Sequence, residues 1–128
     1  MAVNYKIVKT ATPGVKGGGA YRYYPRVCSR RKMDLIELSK RISKMCTLHA
    51  ADVNAVLTIL TTELPDLLLD NYTIQLGEFG TFSLHASGEP SDSPEDVNES
   101  KITGLKVAFR PGKAIKDELK SAHFVKVG

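Results

Sequence analysis

Apolar residues recur at spacings of three and four in two consecutive segments, a pattern that predicts two amphipathic helices. We place the first at residues 30–44 and the second at residues 50–69, with Ser29 and Thr47 as their N-caps. Pro65 falls inside the second helix, where its missing donor and its steric clash predict a kink or an early end. The apolar positions predicted to form the core are Leu35, Leu38, Ile42 and Met45, then Val53, Val56, Leu57, Leu60, Leu64, Leu67 and Leu68.

The remaining segments carry β-forming residues interrupted by glycine and proline. Residues 73–82 are predicted to form two short strands joined by a tight turn, because Gly77 and Gly80 adopt positive φ at little cost. The second strand continues to His85 and leads into an exposed, acidic tip at residues 87–96. The other predicted elements are strands at 3–9, 20–27, 101–109 and 124–127, a flexible glycine-rich loop at 12–19, and a last helix from Pro111 in its first turn to about Ser121.

Two helices followed by a small sheet, with further strands before them, predict an α+β fold. The chain of 128 residues has about the length of one ordinary domain with terminal additions. We assign residues 1–28 to an N-terminal β extension with the glycine-rich loop, residues 29–121 to the main domain, and residues 122–128 to a C-terminal tail.

Charge is segregated along the chain, although the net value is only +4. Residues 1–33 hold eight basic and no acidic residues, whereas residues 86–100 hold five acidic and no basic ones. Residues 101–128 are basic again, with seven basic and two acidic residues. Separated charge in a basic chain favours a polyanionic partner, and a lysine-rich solvated surface is the alternative interpretation.

Side chains suited to catalysis or metal binding are few and scattered. Cys28 and Cys46 lie too far apart for a C-x-x-C pair, so we expect reduced thiols. His49, His85 and His123 fall on different predicted elements, without a carboxylate or cysteine at useful spacing. The glycine run matches no nucleotide-binding motif. We therefore expect neither an enzyme nor a metal or cofactor site.

The sequence also gives an expectation for the environment of the protein. Its apolar runs are much shorter than the roughly 20 residues of a membrane span, and its first residues do not resemble a secretory signal. We expect a cytoplasmic protein without a membrane partner. In residues 20–27 tyrosines alternate with arginines, a pattern that suits base stacking or packing on a sheet, and we favour packing.

Two glycine motifs, one in the hairpin and one before the last helix, carry a family resemblance. Residues 77–82 are Gly-Glu-Phe-Gly-Thr-Phe, and residues 109–116 are Phe-Arg-Pro-Gly-Lys-Ala-Ile-Lys. Together with the helix pair, they resemble the HU/IHF family of bacterial histone-like DNA-binding proteins over roughly residues 29–120. The strands before this region and the tail after it are similar to a divergent HU-related branch with terminal additions.

The resemblance implies a homodimer with a two-helix base, a three-stranded antiparallel sheet with an extended β-arm, and a short C-terminal helix. It implies sequence-tolerant binding of double-stranded DNA in a nucleoid-organising, DNA-condensing role. The sequence adds its own reason for a dimer, since two amphipathic helices and one small sheet offer more apolar surface than one chain covers. The candidate DNA-binding residues are Gly80, Thr81, Arg110, Lys113 and Lys116 at positions matching the family's phosphate contacts, with Lys101, Lys106, Arg30 and Arg31 added from the basic segments.

The acidic tip departs from the family pattern. Typical members carry basic residues along the arm and an Arg-Asn-Pro tip, whereas residues 88–99 here hold Pro90 and Pro94 among five acids. Repulsion from phosphates opposes entry of this tip into a DNA groove, which leaves the extent of DNA bending open. The alternative function is a protein-interaction module in which the acidic arm or the N-terminal sheet docks a protein partner.

Overall fold

The computed structural model describes residues 2–11 and 21–128. Within these residues the fold is α+β, as predicted, with three α-helices and two three-stranded sheets. The loop predicted at residues 12–19 lies outside the described residues. The elements are β1 (Ala2–Ala11), β2 (Tyr21–Val27), α1 (Leu35–Ser43), α2 (Ala50–Leu69), β3 (Ile74–Gln75), β4 (Gly80–Gly88), β5 (Ile102–Pro111), α3 (Lys113–Leu119) and β6 (His123–Lys126), with 3-10 turns at Gly77–Phe79, Pro94–Asp96 and Glu99–Lys101.

The chain divides into two compact units. The first unit, residues 1–33 with 118–128, contains a sheet in the order β2-β1-β6. Strand β1 pairs antiparallel with β2 and parallel with β6, so the strand predicted near the C-terminus completes the N-terminal sheet. The second unit, residues 34–117, holds α1, α2 and the antiparallel sheet β3-β4-β5.

The first helix begins at Leu35, later than the predicted residue 30. Its N-cap is Asp34, whose carboxylate accepts the Glu37 amide at 2.9 Å. An acceptor at the cap and a glutamate three residues later form the pattern of a capping box. Ser29 lies five residues before Asp34, and its φ of 58° is positive, whereas an N-cap residue usually lies in the β region, so the prediction of Ser29 as the N-cap is wrong.

The second helix has the predicted bounds, but the prediction of Thr47 as its N-cap is wrong. Its N-cap is His49, without a side-chain hydrogen bond, because the turn after Thr47 runs two residues further before the helix starts. Pro65 does not end the helix early, and the other predicted outcome, a kink at this residue, stays a prediction. The last turn continues past the missing donor because Leu68 lies in the core, where it is only 3% exposed.

Pro111 ends strand β5 opposite Gly80, and it does not open the last helix as predicted. At the end of a strand the ladder does not need the backbone donor that proline lacks, so proline costs little stability there. Helix α3 therefore begins at Lys113, after one intervening glycine, and it ends at Leu119 before the predicted Ser121.

Few side chains of the described chain are buried. Val53 and Leu68 on α2 are 5% and 3% exposed, and Ser39 on α1 donates its buried hydroxyl to a carbonyl one turn earlier at 2.7 Å. Most of the predicted apolar stripe is exposed to solvent: Val56 is 59% exposed and Met45 is 75% exposed. The prediction that the whole stripe is core is therefore wrong for a single chain, because the small sheet and α1 leave other sides of α2 uncovered.

The two glycine motifs meet at one backbone junction. Gly80 lies opposite the last residue of β5, and the Gly112 amide donates to the Phe79 carbonyl at 3.1 Å. A Cβ on Gly80 would lie 2.5 Å from the Arg110 carbonyl oxygen, and its φ of 146° disfavours any other residue. A Cβ on Gly112 would lie 2.6 Å from the Glu78 carbonyl carbon. The two segments therefore approach this closely only with glycine at both positions.

Three phenylalanines pack beside this junction and tie the hairpin to β5. The ring centroids are 4.8 Å apart for Phe82 and Phe109, 5.5 Å for Phe79 and Phe109, and 6.4 Å for Phe79 and Phe82. These separations are in the range of favourable aromatic pairs. The pairing of Ile74 with Phe82 and of Gln75 with Thr81 confirms the predicted hairpin.

We predict that Gly112→Ala lowers the free energy of unfolding by about 2–3 kcal/mol, because the added methyl group meets the Glu78 backbone. Gly104→Ala is the matched control, since a Cβ at Gly104 has no neighbour within 4 Å. The control should change stability by less than about 1 kcal/mol. Urea denaturation at one protein concentration measures both variants, and equal midpoints would contradict the proposed role of the junction.

Candidate nucleic-acid interface

Strands β4 and β5 form a ladder with one polar and one apolar face. Residues directly opposite each other across an antiparallel pair share a face, and the faces alternate along each strand. The Ser83 hydroxyl lies 3.1 Å from His85 Nε2, as expected for neighbours on the polar face. The polar face pairs Thr81 with Arg110, Ser83 with Ala108, His85 with Lys106 and Ser87 with Gly104, and the apolar face pairs Phe82 with Phe109, Leu84 with Val107 and Ala86 with Leu105.

The hairpin motif and the end of β5 place three of the candidate residues together. Thr81 lies directly opposite Arg110, and Gly80 precedes it in the same ladder. Arg110 is exposed, Thr81 is half-buried and Gly80 is buried. The surface at this point therefore consists of a guanidinium and a hydroxyl, two groups that can both donate to a phosphate oxygen.

Lys113 and Lys116 follow on α3, immediately after the junction. Residues three apart lie on the same side of a helix, so both ammonium groups extend from one side of α3. Both lysines are exposed, and the Lys116 amide donates to the Gly112 carbonyl at 3.1 Å. The glycine junction thus sets where α3 begins and hence where these two lysines stand relative to Arg110.

The two lysines taken from the returning segment have different surroundings. Lys106 lies on the polar face of the ladder opposite His85, four residues before Arg110 on β5. Lys101 lies outside the ladder, in the turn Glu99–Lys101, where it lines a polar hollow with Asp92, Glu95 and Asp96. Carboxylates around Lys101 oppose the approach of a phosphate to it, so the structure separates it from the cations of the ladder.

Arg30 and Arg31 lie on the exposed segment between β2 and α1. They belong to the first unit, whereas the other seven candidates belong to the second. His85 was not among the candidates, yet it shares the polar face with Thr81, Arg110 and Lys106. Thr81, Ser83 and His85 are every second residue of one predicted strand and therefore share a face. This alternation was the sequence signal that could have identified His85 as a candidate.

No ion pair to a carboxylate forms at Arg110, Lys113 or Lys116 within the described part of the chain. With no carboxylate partner among the described residues, these three cations are available to an anion at the junction. Among the described residues, no group of three or more histidine, cysteine, aspartate and glutamate side chains is arranged to hold a metal ion. None of the helices in residues 2–11 and 21–128 is both long and apolar enough to cross a bilayer.

Comparison with known proteins relates the chain to a family. Residues 1–126 match the HU-HIG family model, described as an HU domain fused to wHTH, Ig, or glycine-rich motif. DNA-binding protein HU of Thermus thermophilus is 30% identical over 91 residues, which cover 70% of this chain and 91% of that protein.

A crystal structure from Bacteroides vulgatus, provisionally described as a bacterial DNA-binding protein, has the same fold with a TM-score of 0.68 at 9% identity. The match covers 99% of this chain and 49% of that one, so this chain spans about half of its length. The HU/IHF resemblance seen in the two glycine motifs is therefore confirmed. The chain belongs to the HU-HIG family and carries an HU-type DNA-binding domain.

Proposed function

We propose that this protein is a homodimer that binds duplex DNA through its phosphates, with little sequence preference, and that it organises and condenses DNA in the nucleoid. Its activity in this proposal is binding alone, without a reaction or a cofactor. The observation that carries the proposal is the junction at which Arg110, Lys113 and Lys116 lie together without carboxylate partners in the described chain. Cations on a fixed backbone are suited to phosphate contacts, which position a protein on DNA without reading sequence.

The homodimer is supported by the apolar surface of the second unit. Val56 and Ile59 on α2 are each 59% exposed, and Leu105 and Val107 on the apolar face of the ladder are 54% and 57% exposed. Soluble monomers rarely leave so many large apolar side chains open. A second copy of the same chain can cover them through a two-fold interface, in which each surface contacts its equivalent.

We predict a solution mass of twice 14.0 kDa. Val56→Asp should abolish the dimer, because it buries a charge in the proposed interface. Thr58→Asp is the control and should preserve the dimer, because position 58 lies on the opposite side of α2 from Val56. Light scattering at micromolar concentration measures the mass, and circular dichroism reports folding. A wild-type mass of 14.0 kDa, or dimers in both variants, would contradict the proposed interface.

We predict that Lys113→Ala combined with Lys116→Ala weakens binding to all duplex sequences alike. If each lysine neutralises one phosphate, the variant removes up to four contacts per dimer and lowers the slope of log K against log salt by about 3–4. A salt-titrated gel shift on random duplex DNA measures the slope.

The control for that experiment is Lys40→Ala combined with Lys44→Ala, which removes the same charge from α1 and its C-cap. This control should keep nearly the full slope. An unchanged slope in the α3 variant would show that Lys113 and Lys116 do not contact DNA phosphates, which contradicts the proposed surface. Failure of the wild type to bind DNA at low salt would favour the alternative in which a protein partner docks.

The tip between β4 and β5 is expected to restrain DNA binding through its carboxylates. Asp92→Asn with Glu95→Gln removes two negative charges per chain, so affinity should rise several-fold at low salt. The gain should shrink as the Debye length falls from about 30 Å at 0.01 M to about 8 Å at 0.15 M salt. Glu63→Gln with Asp66→Asn on α2 is the control of equal charge. A larger gain in the control would show that the tip lies away from DNA.

A further inference from the structure

The N-terminal sheet has two chemically different faces, and its register defines both. Along the antiparallel pair, Lys6 lies opposite Arg26, Val8 opposite Tyr24 and Thr10 opposite Arg22. These residues share one face, which we call the cationic face. The other face, which we call the aromatic face, pairs Tyr5 with Val27, Ile7 with Pro25 and Lys9 with Tyr23, and it includes Tyr21.

A side-chain contact agrees with this assignment. The Lys9 ammonium lies 4.6 Å from the centroid of the Tyr21 ring, a cation–π contact between diagonal neighbours of the aromatic face. Lys126 lies on the same face through its pairing with Tyr5. Lys9 and Lys126 thus lie among aromatic and apolar side chains. Lys6, Arg22 and Arg26 form a separate group on the cationic face.

The cationic face holds positive charge that nothing in the sheet neutralises. Strands β1, β2 and β6 contain no acidic residue. Lys6 and Arg26 lie directly opposite each other, an arrangement in which like charges repel. Lys6, Arg22 and Arg26 are all exposed, and none forms an ion pair in the described part of the chain. An anion placed between these side chains would remove the repulsion.

The spacing of the cations fits a chain of anions better than a single one. Arg22 and Arg26 lie four residues apart on an edge strand, about 13 Å along extended backbone, so their guanidiniums reach different anionic groups. Between them, Tyr24 presents a 43% exposed ring with a hydroxyl donor. We infer that the cationic face of the N-terminal sheet, formed by Lys6, Arg22 and Arg26, is a second phosphate-binding surface for duplex DNA. This inference rests on the proposed DNA-binding function.

The test compares the two faces of the same sheet in the full-length protein. Arg22→Gln with Arg26→Gln removes two charges from the cationic face, and Lys9→Gln with Lys126→Gln removes two from the aromatic face. The first variant should lower the slope of log K against log salt by about 2 per chain, and the second should keep it. Arg22→Lys with Arg26→Lys retains the charges and should restore most of the slope. Circular dichroism and thermal unfolding establish that each variant is folded.

Each outcome decides the inference. An equal loss of slope in both glutamine variants overturns it, because only net charge would then matter. A full slope in the arginine-to-glutamine variant, with DNA bound by the wild type, overturns the second surface and leaves the proposed function intact. Failure of the wild type to bind duplex DNA at low salt overturns both. The arginine-to-glutamine variant could also lose self-association at low salt while its DNA binding stays unchanged. That result would mean that the cationic face binds the acidic tip of a second copy, and it also overturns the inference.

Discussion

The close backbone approach of Gly112 to Glu78 and Phe79 determines the geometry of the second unit. It joins the hairpin before β4 to the end of β5, and it fixes the residue at which α3 starts. A side chain at Gly112 or Gly80 would push these segments apart, because the nearest atoms belong to backbone that has little room to move. The positions of Arg110, Lys113 and Lys116 follow from that contact, so stability and the proposed binding surface depend on the same two glycines.

Strand alternation sorts the chemistry of both sheets. In the β4–β5 ladder it separates Thr81, Lys106 and Arg110 from the phenylalanine cluster. In the N-terminal sheet it separates Lys6, Arg22 and Arg26 from the tyrosines of the aromatic face. Each unit therefore presents one group of cations on a single face of a sheet, although Lys9 and Lys126 lie on the aromatic face of the first unit. A chain of modest net charge, +4, can in this way offer two concentrated positive surfaces.

The small core of the second unit bears on the proposed dimer, and the charge of its tip bears on the proposed DNA binding. With only Val53 and Leu68 as buried apolar side chains in the described chain, folding of one copy leaves α2 and the apolar face of the ladder open. Dimerisation would add the burial that a single copy lacks. In the proposed function the carboxylates of the tip would oppose DNA binding, since they repel phosphates at positions where the family pattern has cations.

The sequence alone determined the α+β class, the bounds of α2, the hairpin at Gly77 and Gly80, and the HU relationship, because these depend on local periodicity, on positive φ and on two motifs. It did not determine the start of α1, where Asp34 with Glu37 competed with Ser29, or the role of Pro111, which depends on its partner Gly80 across the ladder. Only the tertiary structure brought Thr81 beside Arg110 and Lys6 beside Arg26. These pairs are set by strand register, and register depends on hydrogen bonds between segments far apart in the chain.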